Sequence, residues 1–445
     1  MRESMLLGTQ KINSAGHLEI GGCDMVEIAN QFGTPLFVLD EATIRANCRA
    51  YRKAFESRYP NSEICYASKA FISTTMCKII EQEGLNLDVA SLGELHTAIV
   101  AGFPNDRINL HGNNKLQVEL EAAIDQNIGH VILDHEIEIH QLAKIAKSKN
   151  KVMKVLVRCT PGVDPNTHKA ISTGQADTKF GFNIGDGSAI RAVQTVLSFP
   201  SLEFDGIHCH VGSQLLDDES HISAIQSMVG LMQQVQNKLG VECKVMNIGG
   251  GLGVRYKEEH TPPSIDDFAD KICSKLVECL NHAKLPLPIL QQEPGRAIIG
   301  EAGITLYTVG AIKTVPILEQ PGYRTYVSVD GGMSDNPRPQ LYQAEYEMVV
   351  ANKANQIRSE TITLAGRHCE TDVLIWNAPS PKIEVGDIIA VQTTGAYNYS
   401  MASNYNRFPK PAVVLVNNGE AELIVRRETV EEVIRLDLLP KRFQT

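Results

Sequence analysis

The sequence predicts a (β/α)8 barrel of parallel strands joined to an antiparallel β domain. From Ser62 to Gly295, a short apolar run, a loop and an amphipathic stretch follow one another in eight successive units, and this pattern stops after about Gly300. Alternating strands and helices are typical of a parallel sheet. Eight such units in roughly 235 residues have the size of a closed barrel. Topology alone leaves an open doubly wound sheet as the alternative.

Apolar runs of strand length give the positions of the eight barrel strands, and residues typical of turns separate many of them. The predicted strands are Ser62–Ala67, Asn86–Val89, Arg107–His111, His130–Asp134, Lys154–Thr160, Asp205–Val211, Lys244–Ile248 and Pro288–Gln292. The stretches between them place apolar residues on one helical face, as Leu116, Leu120 and Ile124 show.

The remainder of the chain predicts the second domain. Short runs such as Tyr326–Val329, Ile388–Thr393 and Ala412–Val416 alternate with Gly, Pro and Asn, as antiparallel strands do. The run Pro35–Leu39 precedes the barrel, and we expect it to join these strands. We therefore predict a barrel domain over residues 42–300 and a β domain made of residues 1–41 and 301–445.

Composition and charge exclude several classes of protein. The 445 residues carry a formal net charge of -10 with scattered basic residues, so neither nucleic acid nor an anionic membrane is an expected partner. No apolar run approaches the about 20 residues of a membrane helix. The segment Met1–Leu7 lacks the apolar core of a signal peptide, so we expect a cytoplasmic protein. The 10 cysteines contain no CxxC pair, and we expect no metal site.

Polar residues and glycines follow six of the predicted strands. In barrel enzymes the functional residues collect at the carboxyl ends of the strands. The six stretches are Tyr66-Ala-Ser-Lys69, Asp88-Val-Ala-Ser91, His111-Gly-Asn-Asn-Lys115, His208-Cys-His210-Val-Gly-Ser213-Gln214, Asn247-Ile-Gly249-Gly250-Gly251 and Glu293-Pro-Gly295-Arg296.

Three of these stretches indicate a phosphorylated carbonyl cofactor. Lys69 is a candidate for a Schiff-base lysine, with a surface lysine as the alternative. The glycines 249–251 can wrap a phosphate with backbone N–H groups, aided by Ser213 and Arg296, or they form a flexible turn. Glu293 can hold a protonated ring nitrogen, which turns the ring into an electron sink suited to decarboxylation. Alternatively, Glu293 forms an ion pair with Arg296 and binds no cofactor.

His208 and His210 lie on one face of a predicted strand. Zinc is one interpretation of this pair, but a third ligand at metal spacing is missing from the sequence. An imidazole stacked on a cofactor ring accounts for one of the two histidines.

The β domain adds three candidate groups. Cys369 lies beside a carboxylate and can serve as a proton donor, with a core cysteine as the alternative. Arg338, in the stretch Asp330–Tyr342, can bind a carboxylate through two hydrogen bonds, unless it is a surface arginine. Tyr397 follows Gly395-Ala396 and supplies a phenol near a turn.

Together these motifs resemble the fold type III pyridoxal-phosphate (PLP) decarboxylases, a barrel family related to alanine racemase, over about residues 33–438. Within that family the chain is most similar to the branch that decarboxylates meso-diaminopimelate at its D centre and forms L-lysine, the last step of lysine biosynthesis. The stretches that carry this closer resemblance are His111–Lys115, Thr167-His168, Thr178–Phe182, Asp330–Tyr342, Cys369-Glu370 and Ser400–Asn406.

The resemblance implies PLP as the cofactor and a role for each matching residue. It implies catalytic roles for Lys69, Cys369 and His210. The implied cofactor-binding residues are Lys69, Asp88, His210, Ser213, Gly250, Gly251, Glu293, Gly295, Arg296 and Tyr397. The implied substrate-binding residues are Arg296, Arg338, Tyr342, Glu370, Thr371 and Tyr397.

The resemblance also implies a homodimer with shared active sites, because in the family Cys369 and Glu370 would reach into the site of the partner subunit. Two positions depart from the family pattern. Phe71 stands where the lysine motif usually has Asn, and Thr371 stands where Ser is common. Thr371 keeps the hydroxyl group, so its substrate contact can survive.

Three other functions compete with this interpretation. A decarboxylase for ornithine, arginine or carboxynorspermidine would have no distal carboxylate for Arg338, and ornithine or arginine relatives tend to have Asp where this chain has Glu370. A racemase of this fold places arginine rather than Glu293 at the ring nitrogen. A non-catalytic regulator of polyamine metabolism would be expected to lose Lys69 or Cys369, and both are present.

Overall fold

The computed structural model describes residues 6–162, 177–318 and 321–444. The chain divides into two compact units, one made of residues 1–44, 255–259 and 299–445 and the other of residues 45–254 and 260–298. Thr167 and His168, which contribute to the family resemblance, lie outside the described residues. Within the described ranges, every helix is too short or too polar to cross a membrane.

The N-terminal segment forms a small sheet, a capped helix and one long-range strand. Its elements are β1 (Lys11–Ile12), β2 (Leu18–Ile20), β3 (Cys23–Asp24), α1 (Met25–Phe32) and β4 (Leu36–Asp40). Helix α1 begins where it does because the Asp24 carboxylate accepts the backbone N–H of Val26 at 2.8 Å. The apolar face of α1, including Met25 and Ile28, is buried.

The second unit is built from alternating strands and helices. Its strands are β5 (Ser62–Ala67), β6 (Asn86–Val89), β7 (Ile108–Leu110), β8 (His130–Leu133), β9 (Met153–Thr160), β10 (Phe182–Asn183), β11 (Leu202–His208), β12 (Val245–Asn247) and β13 (Ile289–Gln292). The helices are α2 (Glu41–Glu56), which enters this unit, α3 (Thr74–Gln82), α4 (Leu92–Val100), α5 (Gln117–Gln126), α6 (Glu136–Ser148), α7 (Ser188–Leu197), α8 (Glu219–Leu239), α9 (Ile265–Ala283) and α10 (Arg296–Ile299).

Eight of these strands close into a parallel barrel, which confirms the predicted fold class. The order runs β9-β11-β12-β13-β5-β6-β7-β8, and β8 pairs with β9 to complete the ring, while β10 is an extra strand on β9. Leu290 of β13 lies opposite Ser62 of β5, so the last strand pairs with the first. An open doubly wound sheet would leave these two strands at separate edges, and that alternative is therefore wrong.

The remaining strands and helices belong to the other unit. They are β14 (Gly303–Pro316), β15 (Tyr323–Val329), α11 (Arg338–Tyr342), β16 (Met348–Val350), β17 (Glu360–Ala365), β18 (Val373–Ser380), β19 (Ile388–Val391), β20 (Ala412–Asn417), β21 (Glu420–Val425) and α12 (Val430–Val433). The main sheet has the order β18-β17-β15-β14-β4-β20-β21. The N-terminal strand β4 joins it, as the sequence predicts.

The predicted antiparallel pattern of this sheet requires a correction, because the sheet is mixed. Strand β4 runs parallel to β20, and β15 runs parallel to β17. Hairpins force neighbouring strands to be antiparallel, but parallel strands need a longer crossover connection. Strand β4 arrives from the far end of the chain, so no hairpin sets its direction relative to β20.

Candidate active site

Every barrel strand places a polar or charged group at or near its carboxyl end. Because parallel strands all end on the same side of a barrel, these groups share one rim. In the order of the chain they are Lys69, Asp88, His111, Asp134, Arg158, His208, Asn247 and Glu293. The structure thus brings together the barrel residues that the sequence identifies and adds others to them.

Lys69 lies in the short 3-10 helix Ser68–Ala70 that directly follows β5. Its neighbours Ser68 and Ala70 are buried, whereas Lys69 itself is exposed. The Glu94 carboxylate fixes this loop, because it accepts the Ser68 hydroxyl at 2.8 Å and the backbone N–H of Ala90 at 2.6 Å. A rigid loop with an accessible amine is suited to covalent attachment of a cofactor.

Gly295 allows the loop after β13 to pack against the Lys69 loop. A Cβ atom at this position would lie 3.1 Å from the Ala67 Cβ and 3.3 Å from the Ala70 Cβ. The Ala67 backbone N–H also donates to the Pro294 carbonyl at 3.1 Å. The small residue therefore keeps the Lys69 loop close to the loop that carries Glu293.

Glu293 is held by donors from two strands. The Asn247 amide donates to Glu293 Oε1 at 2.7 Å, and His208 Nε2 lies 3.1 Å from Oε1 and 3.2 Å from Oε2. Burial is the largest single effect and raises the pKa of Glu293, but the surrounding histidines, His208 and His111 foremost, together outweigh it, so the net pKa falls below the ordinary value. Glu293 is thus a buried carboxylate that stays ionised.

Asp88 behaves in the opposite way. Burial, followed by the negative charge of Glu293, raises the pKa of Asp88 well above the ordinary value. The Asn109 amide donates to Asp88 Oδ1 at 3.0 Å, while Asp88 Oδ2 is buried and has no hydrogen-bond partner among the described residues. The pKa values of the two carboxyl groups are therefore shifted in opposite directions, because histidines surround Glu293 while Asp88 is buried beside the negative charge of Glu293.

The loops after β11 and β12 bring a run of closely packed glycines near Ser213 and Arg296. Gly249 and Gly251 adopt φ of +69° and +134°, and a Cβ at Gly250 would lie 2.1 Å from the Glu293 carbonyl oxygen. The Ser213 hydroxyl accepts a hydrogen bond from Arg296 Nη2 at 3.1 Å. Bare glycine backbone beside a hydroxyl and a guanidinium is an arrangement that binds phosphate.

The two histidines of the His208-Cys209-His210 stretch take different positions. Strand β11 ends at His208, which faces Glu293, and His210 lies beyond it and accepts the Gly250 backbone N–H at 3.3 Å. The nitrogen and oxygen ligand atoms of His111, His208 and Glu293 lie within 4.8 Å of one another. The fold therefore brings together three side chains of ligand type that are far apart in the sequence, and the same atoms form the pocket around Glu293.

The β unit holds a second set of predicted residues. Arg338 is buried at the start of α11, with its guanidinium carbon 5.2 Å from the Tyr342 ring centre and 5.6 Å from the Tyr397 ring centre. Tyr397 has φ of +61°, a conformation that is uncommon for a residue with a side chain and is often found at functional sites. An arginine flanked by two phenol rings is suited to binding a carboxylate.

Cys369 and Glu370 lie at the tip of the loop between β17 and β18. Asp372 closes this loop, because its carboxylate accepts from His368 Nδ1 at 2.6 Å and from the backbone N–H of Met333 at 2.7 Å. Of the 10 cysteines, only Cys369 is exposed. The Tyr405 hydroxyl donates to Glu370 at 2.6 Å. Thr371 lines a neighbouring cavity of about 740 Å³.

Sequence reasoning missed Glu94 and Arg158, and it placed Asn247 and His111 in strand-end stretches without giving either a role. Arg158, near the end of β9, is buried 3.5 Å from Asp134, and its guanidinium carbon lies 4.3 Å from the Phe180 ring centre. Asn247, Arg158 and His111 lie at or near the ends of barrel strands, and this position in the sequence pattern could have identified them. Glu94 lies on α4, and only its reach back to two loops shows its role.

We expect acid to destabilise the cofactor-free protein through His111. Burial lowers the pKa of His111 from 6.5 to about 4. Below pH 6.5, His111 becomes protonated in the unfolded chain, but in the folded chain it stays neutral until the pH reaches about 4. The free energy of unfolding should therefore fall across this range, by on the order of 3 kcal/mol for this residue.

Urea unfolding from pH 7 to pH 4 would measure this effect. A His111→Gln variant should show a shallower loss than the wild type, and a variant of the exposed His96, His96→Gln, should match the wild type. Equal slopes for all three proteins would contradict the prediction.

The barrel rim fits PLP on three independent grounds. The glycine run lies near the Ser213 hydroxyl and the Arg296 guanidinium, which can bind a phosphate. Glu293 is an anion suited to a ring N–H, and Asp88 Oδ2 is a buried atom without a partner among the described residues. The exposed Lys69 amine supplies the group that would carry the cofactor.

The chain is similar to known proteins over nearly its full length. Residues 41–300 match the family described as pyridoxal-dependent decarboxylase, pyridoxal binding domain. The chain is 45% identical over 434 residues to diaminopimelate decarboxylase of Bacillus subtilis, covering 97% of this chain and 98% of that protein. It is 43% identical to the enzyme of the same name from Synechocystis sp., covering 99% and 94%. Diaminopimelate decarboxylase of M. jannaschii in complex with L-lysine superposes with a TM-score of 0.91 at 32% identity, covering 98% and 99%.

Proposed function

Because the chain belongs to the pyridoxal-dependent decarboxylases and, within them, to the diaminopimelate decarboxylases, we propose that it removes carbon dioxide from the D centre of meso-diaminopimelate and releases L-lysine. It is a carboxy-lyase that uses PLP. The observation that carries the proposal is the barrel rim itself, where an accessible lysine, an ionised glutamate and a glycine run beside Ser213 and Arg296 occur together.

The barrel residues would bind and orient the cofactor. Lys69 would carry PLP covalently. Gly250, Gly251, Ser213 and Arg296 would hold its phosphate, with Tyr397 as a further donor. His210 would lie against the ring. When bound, PLP draws the electrons of the broken carbon–carboxylate bond into its ring.

Glu293 would hold the proton on the ring nitrogen. Its donors Asn247 and His208 stabilise the carboxylate form, so the proton resides on the ring rather than on the glutamate. Asp88 would keep its own proton in the same pocket and thereby avoid a second negative charge. The pairing of one ionised and one neutral carboxyl group supports a ring that accepts electrons.

The β-unit residues would bind the substrate and return a proton. Arg338 and Tyr342, together with Arg296, would bind the carboxylate at the non-reacting centre. Glu370 would bind the distal amino group, with Thr371 beside it. The Cys369 thiol would donate a proton to the α carbon after carbon dioxide leaves.

We further propose a homodimer in which Cys369 and Glu370 complete the site of the partner subunit. Cys369 is exposed, whereas nearly all other cysteines are buried. Its exposure supports a role in the active site of the partner subunit. This arrangement agrees with the family resemblance, in which two chains share each site.

The test of the proposal is a substrate comparison. Purified protein with PLP is mixed separately with meso-diaminopimelate, ornithine, arginine and carboxynorspermidine, and carbon dioxide and the amine product are measured. Lysine formed from diaminopimelate alone is the expected result. If carbon dioxide is released only from another substrate, the cofactor assignment stands. The proposed roles of Arg338, Tyr342 and Glu370 at the distal end of the substrate are then rejected.

Arg338→Gln should weaken the same reaction selectively. Because the guanidinium would bind a carboxylate that does not react, its loss should raise KM for diaminopimelate by about 100-fold and change kcat by only a few-fold. Steady-state kinetics would measure both constants. Arg324→Gln, which removes a guanidinium 5.0 Å from the Trp376 ring centre in the same unit, is the matched control and should leave both constants unchanged. A large fall in kcat with KM unchanged would contradict this role for Arg338.

A further inference from the structure

The turn that begins at His111 has no assigned role, although its motif is part of the family resemblance. Strand β7 ends at Leu110, and the His111 backbone N–H donates to the Val89 carbonyl at 2.7 Å. The imidazole enters the pocket between the two buried carboxylates. Its Nε2 atom lies 3.3 Å from Glu293 Oε1 and 3.5 Å from Asp88 Oδ1.

We propose that His111 is a positioning residue that bridges Asp88 and Glu293 and thereby keeps Glu293 ionised and in place for the ring nitrogen of the cofactor. This inference rests on the proposed function. It adds a residue and a task that the family comparison does not supply.

Geometry favours a bridge over a simple ion pair. Nε2 is buried and forms no hydrogen bond within the described part of the chain, while one oxygen of each carboxylate lies within 3.5 Å of it. Burial keeps the imidazole neutral by lowering the pKa of His111 to about 4. A neutral imidazole has one N–H group, and at Nε2 that group would lie between the two carboxylates.

His208 supports this arrangement from the other side. Its ring packs edge-on against the His111 ring with centres 5.2 Å apart. His208 Nδ1 is buried without a hydrogen-bond partner among the described residues. An ionised carboxylate can only accept hydrogen bonds, so the hydrogen of His208 is placed on Nε2, which faces Glu293. Two imidazoles and the Asn247 amide thus surround one carboxylate.

A buried ion pair holds the His111 turn in position. Lys115 Nζ donates to the Gly112 carbonyl at 2.8 Å and lies 2.6 Å from Glu138 Oε1, and both side chains are 1% exposed. Glu138 also accepts the Asp134 backbone N–H at 2.8 Å. Gly112 has φ of +131°, a conformation that favours glycine. The spacing of His, Gly and Lys in the motif follows from this closed turn.

The experiment measures the protonation of the bound cofactor directly. PLP labelled with 15N at the ring is added to wild type, His111→Leu and His111→Gln, and the 15N chemical shift and the PLP dissociation constant are determined for each. In the wild type we expect the shift of a protonated ring. In His111→Leu the shift should move towards that of an unprotonated ring, and PLP should bind about tenfold more weakly, since one polar contact to a charged group is lost.

His111→Gln should largely restore both the 15N chemical shift of the protonated ring and the affinity for PLP. The glutamine amide nitrogen reaches about as far from the backbone as the histidine Nε2. His96→Leu, on the exposed face of α4, is the matched control and should equal the wild type. If the leucine variant does not fold, His111→Asn replaces it, since its shorter amide cannot reach between the carboxylates and should lose the protonated signal.

Two failures are distinguishable. If His111→Leu or His111→Asn binds PLP with the wild-type shift and affinity, the bridging role is rejected while the proposed function stands. If the wild type itself does not bind PLP, the proposed function is rejected.

Discussion

The Lys69→Ala variant is expected to lose the covalent bond to the cofactor and nearly all activity. The amine would both carry PLP and release the product. Lys115, the other lysine in the predicted strand-end stretches, is buried in an ion pair with Glu138 and cannot replace it. We expect kcat/KM for meso-diaminopimelate to fall by on the order of 10⁴ or more. The absorbance of the lysine-bound cofactor should disappear as well.

Borohydride reduction followed by peptide mass spectrometry would check this result. In the wild type the reduced cofactor should be found on the peptide that contains Lys69, and in the variant it should be absent. Lys78→Ala, which changes an exposed lysine on the next helix, should retain the label and full activity. A variant without Lys69 that still traps the cofactor would show that the lysine is assigned wrongly.

The Cys369→Ala variant is expected to keep the cofactor and lose turnover. A positioned proton donor contributes about 10²- to 10⁴-fold to a rate, so kcat should fall by that amount while the cofactor absorbance stays unchanged. Cys279→Ala, which alters a half-buried cysteine, is the control and should behave as the wild type. Loss of the absorbance together with activity would indicate a structural role for Cys369 instead.

Mixing the two inactive variants tests whether active sites are shared. If Cys369 serves the partner subunit, a mixed dimer of Lys69→Ala and Cys369→Ala chains contains one intact site. Random exchange of subunits should then restore up to about a quarter of the wild-type activity. If each chain uses its own cysteine, every site carries a lesion and no activity returns. The same experiment therefore separates a shared site from a self-contained one.

The barrel could be predicted from the sequence because its strands are local patterns. Strands Ser62–Ala67 and Asn86–Val89 have the predicted bounds, and the other six differ by a few residues. Parallel strands between helices are apolar on both faces, so they stand out as short runs. Once the strands are placed, the residues at their carboxyl ends share one rim, and Lys69, Asp88 and Glu293 could be identified without coordinates.

Other features depend on partners that only the closed fold brings together. Which carboxylate stays ionised is decided by Asn247 and His208 around Glu293, and the strand pattern does not indicate these contacts. The parallel pairing of β4 with β20 joins residues from opposite ends of the chain. The sequence by itself determined the barrel, its order of strands and the residue types at the rim, since these follow from local apolar patterns and chain direction. Only the tertiary structure decided the charge and orientation of those residues, because hydrogen bonds and burial depend on atoms that are distant along the chain.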